Sequence, residues 1–156
     1  MPGEALFVGI ATIAVVVAGF AAIAPGLASD RAGWTAGQRY RLRGIVSTSF
    51  NVTFESLLPA VIFPAFNDAR TTLVVSSAIV FVYAVFVISV RARQLVKAAI
   101  PWVAWTRFVV GMGVTATALF GLNALVFASV TAYALALCIQ LSVAAISFYS
   151  LAAAAE

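Results

Sequence analysis

Asn51 and Glu55 stand four residues apart in a segment that otherwise reads as apolar, and Thr48 lies three residues before Asn51. On a helix these side chains share one face, so a hydroxyl, an amide and a carboxyl form a polar stripe. Pro59, four residues after Glu55, continues that face. Proline lacks an N–H, and its ring clashes with the carbonyl four residues earlier, here the carbonyl of Glu55. A carboxyl and a freed carbonyl at one residue, beside the Asn51 amide oxygen, make an oxygen cluster suited to a hard cation or a proton. Ser47, next to Thr48, offers a further hydroxyl that could hydrate the same path.

A blander chemistry uses the same residues. A protonated Glu55 can hydrogen-bond a neighbouring helix, with Gln140 or Asn51 as partner. Interhelical bonds of this kind contribute roughly 1 kcal/mol to packing. Arg107 could be a counter-ion for Glu55, but its place close to a helix start suits a side chain that snorkels to the interface.

Enzyme chemistry finds little footing. The chain has no His and a single Cys, Cys138, so the commonest general base and any intramolecular disulfide are absent. Cys138 reads as a small buried hydrophobe. No pair of acids shares a spanning region, no Gly-rich phosphate loop follows a strand, and no spanning Lys offers a Schiff base. The expectation is a non-enzyme without a cofactor.

The elements that must carry the stripe follow from composition. Of 156 residues 64% are hydrophobic and only 9% are charged, and mean hydropathy is +1.12. Soluble domains carry roughly 25% charged residues, so the natural solvent of this chain is lipid. A spanning helix needs about 20 apolar residues. The sequence predicts an all-α bundle in a single domain over residues 1–156, with helices over 5–24, 36–63, 72–97, 101–122 and 125–151. Pro25-Gly26 ends the first helix, Thr35-x-x-Gln38 has the form of a capping box for the second, Pro64 helps end the second, and Asp68 can cap the third. Trp105 to Leu151 as one helix would be roughly 70 Å long against a bilayer of about 30 Å, so a break is expected at Gly121-Leu122-Asn123. Four helices with one long or re-entrant element is the alternative count. Glu55 then falls near the bilayer midplane, where an ionisable group marks a functional site by default.

Charge sets the expected orientation. Arg31, Arg39, Arg41, Arg43, Arg91, Arg93, Lys97 and Arg107 fall on one side and only Arg70 on the other. Cations gather on the cytoplasmic side, which places the N-terminus outside. The net charge of +4 therefore orients the chain, and no basic patch interleaved with aromatics suggests nucleic acid. The preference for Arg over Lys, and for Ala and Val, suggests a GC-rich bacterial source, and the expected location is then the inner membrane.

Small residues let helices approach closely in lipid. Gly113, Thr117 and Gly121 are the most informative such set. Ala14, Ala18 and Ala22 form another, as do Ala128, Ala132, Ala136 and Ala144 with Gln140. Five helices are few to enclose a pathway, so the expected arrangement is a homo-oligomer whose second helices line a central pore. A ring of Glu55 side chains would favour small cations or protons. The alternative is a structural or accessory subunit of a membrane complex, with Glu55 as a protonated interhelical donor.

Overall fold

The computed structural model describes residues 1, 3–27, 35–97 and 104–152. They form five helices: α1 (Glu4–Leu27), α2 (Ala36–Phe66), α3 (Ala69–Lys97), α4 (Ala104–Leu122) and α5 (Val130–Ala152), with a short π-helical turn over Asn123–Phe127 between the last two. All five are long and apolar enough to cross a membrane, so the count of five stands over the alternative of four. Among the described residues there is no strand.

The helix ends show which local signals govern. Thr35 caps α2 as a complete capping box: its hydroxyl accepts from the Gln38 N–H at 3.2 Å, and its own N–H donates to Gln38 Oε1 at 2.8 Å. At the far end, helix continues past Pro64 to Phe66. The stop is Asn67, in the left-handed region at φ 50°, whose N–H donates to the Phe63 carbonyl at 2.9 Å. Asp68 then caps α3, its Oδ2 accepting from the Thr71 N–H at 2.7 Å, so α3 starts at Ala69 rather than at residue 72. Helix α1 likewise runs through Pro25 and Gly26 to Leu27, because a proline in a last turn removes one backbone bond without forcing a stop. Pro101, Trp102 and the predicted start of the fourth helix lie outside the described residues.

The α4–α5 break begins where expected, at Asn123, but runs further: the π-helical turn continues to Phe127, and α5 starts at Val130 rather than at residue 125. Asn123 is fully buried. Its Nδ2 donates to Ser77 Oγ on α3 at 2.8 Å, and its Oδ1 accepts from the Ser129 N–H at 2.8 Å. Ala128, at φ 45°, turns the chain. One side chain thus satisfies the backbone that the break leaves open.

Helix α2 packs most extensively on α1 and α5, α5 also on α4, and α3 on α2 and α4. Helices α2 to α5 close a ring, and α1 covers the seam between α2 and α5. The polarity of the bundle is inverted relative to a water-soluble one. Large apolar side chains face outward, Phe54 at 72% and Leu125 at 86% exposure among them, while Ser49, Ser56, Thr72, Ser76, Ser77 and Asn123 are buried. Such a surface suits an apolar solvent. Cys138, expected inside, is on this outer face.

Candidate functional site

The ring of α2 to α5 encloses a cavity of about 150 Å³, room for several waters or a small molecule. It occupies one half of the bundle, the half that holds the start of α2, the end of α3, the start of α4 and the end of α5. Arg41 and Leu95 line it near the helix ends, and Glu55 and Thr117 line it at depth. The other half is filled. Phe7, Val52, Leu73, Phe120, Tyr133 and Leu137 belong to one core cluster there.

Thr48, Asn51 and Glu55 all line the cavity, as their spacing on one helix face requires. Glu55 is buried, at 5% exposure, and its Oε2 has no hydrogen-bond partner among the described residues. Gln140 of α5 lines the same cavity and interacts with the Glu55 carboxyl. The only ion pair found among the described residues joins the Met1 amine to Glu4 at 3.1 Å, so no cation there neutralises Glu55 directly.

The backbone carbonyl of Glu55 is occupied differently. Pro59 is fully buried and supplies no N–H to it. The Tyr133 hydroxyl of α5 donates to that carbonyl at 2.7 Å. The Tyr133 ring is itself held edge-on between Phe7 at 5.4 Å and Phe120 at 5.1 Å. Tyr133 thus packs in the core and also supplies the missing donor. The Asn51 Oδ1 is likewise taken, accepting from Tyr83 Oη of α3 at 3.0 Å. The three oxygens therefore do not converge as a free cluster. The carboxyl faces the cavity, and the other two are bonded.

Arg91 is the site residue that sequence reasoning missed. Counted only among the cations that orient the chain, it is half-buried, lines the cavity, and donates from Nη1 to Thr48 Oγ1 at 3.3 Å. The available signal was its spacing: Tyr83, Val87 and Arg91 recur every fourth residue and share one face of α3, the face turned to α2. Ser47 lies outside the site, exposed on α2, and Arg107 is exposed near the start of α4. The small-residue set of α4 divides. Gly113 and Thr117 form part of the cavity wall, whereas Gly121 takes the Phe81 ring so closely that an added Cβ would lie 3.0 Å from its Cε2. Of the α1 set Ala14 and Ala18 are buried and Ala22 is exposed, its place inside taken by Ala21. On α5 Ala136 and Ala144 are buried.

No group of three or more His, Cys, Asp or Glu side chains gathers among the described residues in a way that could hold a metal ion. The chain matches no protein-family model, no curated protein and no solved structure.

Proposed function

We propose that the chain is an integral membrane protein of five spanning helices that carries protons or small cations by way of Glu55. The observation behind this reading is the Glu55 carboxyl itself: buried, without a partner for Oε2, and facing a cavity lined by polar groups of α2, α3 and α5. An ionisable group held in that state at mid-helix is costly unless it binds something. The side with eight of the nine cations is then cytoplasmic and the N-terminus outside, in the inner membrane of a bacterium. The cavity would open toward the cytoplasm.

The pathway belongs to the protomer in this reading. The polar stripe of α2 faces the cavity between α2 and α5, so an oligomer would carry one path per subunit instead of a shared central pore. The transport reading is tested in liposomes holding a pH-sensitive dye, with an imposed proton or potassium gradient. Flux above protein-free vesicles is expected, reduced at least tenfold by Glu55→Gln. Equal flux in the two proteins would remove Glu55 from the mechanism.

A structural or accessory role is the second reading, and Gln140 favours it, since it lies against the Glu55 carboxyl. It expects no flux from either protein, and a fold in Glu55→Gln as stable as the original, because an amide replaces a protonated carboxyl as hydrogen-bonding partner.

A further inference from the structure

Arg91 and Glu55, a base and an acid, line one cavity and form no ion pair with each other. Arg91 donates to Thr48, and Glu55 stands seven residues further along α2, about 10 Å of helix. No carboxylate lies within ion-pair distance of Arg91 among the described residues, and Glu55 Oε2 has no partner there. Between them the wall combines the apolar Val87, Ile88, Val109 and Val110 with Asn51 and Tyr83, which are bonded to each other.

A guanidinium presents several N–H donors in a planar fork matched to a carboxylate. At Arg91 the structure gives that fork one hydroxyl acceptor, Thr48. Tyr40 and Tyr83 line the cavity on the same flank, and Arg41 adds positive charge at its mouth. This end of the cavity is built for an anionic group. The deep end, with Glu55 and Gln140, is built for a cationic or hydrogen-bond-donating one.

We propose that the cavity is a binding site for a short zwitterion, an amino acid whose carboxylate sits on Arg91 and whose ammonium sits on Glu55. The size follows from the geometry. Thr48, which holds the guanidinium, and Glu55 are about 10 Å of helix rise apart, and a helical Glu leans back toward Thr48. With about 3 Å taken by a hydrogen bond at each end, a ligand with about 4 Å or less between its charges fits. That is the span of an α-, β- or γ-amino acid, and a volume of about 150 Å³ accepts a molecule of that size. Such a ligand is neutral overall and meets both groups at once, whereas an anion or a cation alone would engage only one of them. This inference rests on the reading of Glu55 as a binding group and names the class of its substrate.

The test is equilibrium binding to the purified full chain in detergent, by calorimetry, with no flux readout. The probes are glycine, β-alanine, γ-aminobutyrate and 6-aminohexanoate, with propionate and propylammonium as single-charge controls. The expected result is an optimum among the three shorter zwitterions, each control at least tenfold weaker, and at least a tenfold loss of the best ligand in both Arg91→Gln and Glu55→Gln. Because the ligand series is run on the unaltered protein, misfolding of a variant does not blunt the test. Propionate binding as tightly as the zwitterions would reduce the site to an anion site and overturn the proposal. So would an anionic lipid that co-purifies with the protein, is lost in Arg91→Gln, and is not displaced by any probe. So would the absence of binding across the series. Glu55-dependent proton flux without zwitterion binding sinks this inference alone, and zwitterion binding without ion flux sinks the proton and cation reading alone.

Discussion

Tyr133→Phe removes one oxygen and leaves the ring between Phe7 and Phe120, so it isolates what the hydroxyl does for α2. The hydroxyl donates to the Glu55 carbonyl at 2.7 Å, and that carbonyl lacks its helical donor because residue 59 is proline. Leaving a buried carbonyl unsatisfied costs about 1–3 kcal/mol. Interhelical hydrogen bonds in a membrane average about 0.6 kcal/mol and reach about 1.7 kcal/mol. Tyr133 is fully buried, with no water at hand to replace its hydroxyl, so the expected loss is about 1–2 kcal/mol. The causal link to Pro59 is open to a double-mutant cycle. Pro59→Ala returns an N–H to the carbonyl, so in that background Tyr133→Phe should cost only about 0.5 kcal/mol, a coupling of about 1 kcal/mol. The assay is reversible unfolding in mixed micelles of increasing SDS content, followed by helicity, on the four proteins of the cycle. Equal costs in the two backgrounds would refute the reasoning. So would a Tyr133→Phe protein as stable as the original.

Two further perturbations read other parts of the bundle. Gly113 and Gly121 lie on one helix eight residues apart, yet Ala should act oppositely at them: Gly113→Ala meets open space and gains up to about 1 kcal/mol of helix propensity, while Gly121→Ala drives a methyl to 3.0 Å from the Phe81 ring and should be less stable than Gly113→Ala by about 1–3 kcal/mol, measured by the same unfolding assay. At the α2–α3 turn, the Thr71 side-chain and backbone hydrogen bonds hold the Asp68 carboxyl below its ordinary range. A depressed folded value means that the cap's contribution is present above the carboxyl's unfolded pKa and is lost as pH falls through the folded one, so the protection factor of the Thr71 amide, its exchange relative to an unstructured chain at the same pH, should fall with acid in the original protein and stay level in Asp68→Ala.

Much of the architecture was legible because lipid-scale helices leave coarse signals. Five apolar stretches, the capping box at Thr35 and the break near Asn123 are all local, and each appears in the fold. The ends drawn from proline were less secure. Pro25 and Pro64 sit inside helices, because a missing N–H weakens a turn while a left-handed Asn67 ends one. The polar face of α2 was legible for the same local reason, since 3.6-residue periodicity fixes which side chains share a side. What lay beyond the sequence was pairing across helices. Nothing in the spacing of α2 says that Tyr133, 78 residues away, would take the Glu55 carbonyl, or that Tyr83 would take the Asn51 oxygen. Arg91 was hidden by its position near a helix end, where the usual reading is an interfacial cation. The face it occupies, one turn at a time from Tyr83, was the overlooked signal.

The division of the bundle into a filled half and an open half explains why one residue can serve both. In the filled half, aromatic rings from α1, α4 and α5 meet around Tyr133. In the open half, the positions facing inward on α2, α3 and α4 include Gly44, Ala84 and Gly113, side chains too small to close the space between helices held apart by their neighbours. Glu55 stands at the boundary. Its backbone is tied to the filled half through the Tyr133 hydroxyl, and its carboxyl projects to the open half beside Gln140. Pro59 makes that split possible, since only a carbonyl released from the helix ladder needs a donor from another helix. The result anchors the carboxyl's own residue to the core cluster around Tyr133 while leaving Oε2 unbonded. A group arranged that way is held in place with its binding capacity unspent, which a side chain serving packing alone would not require.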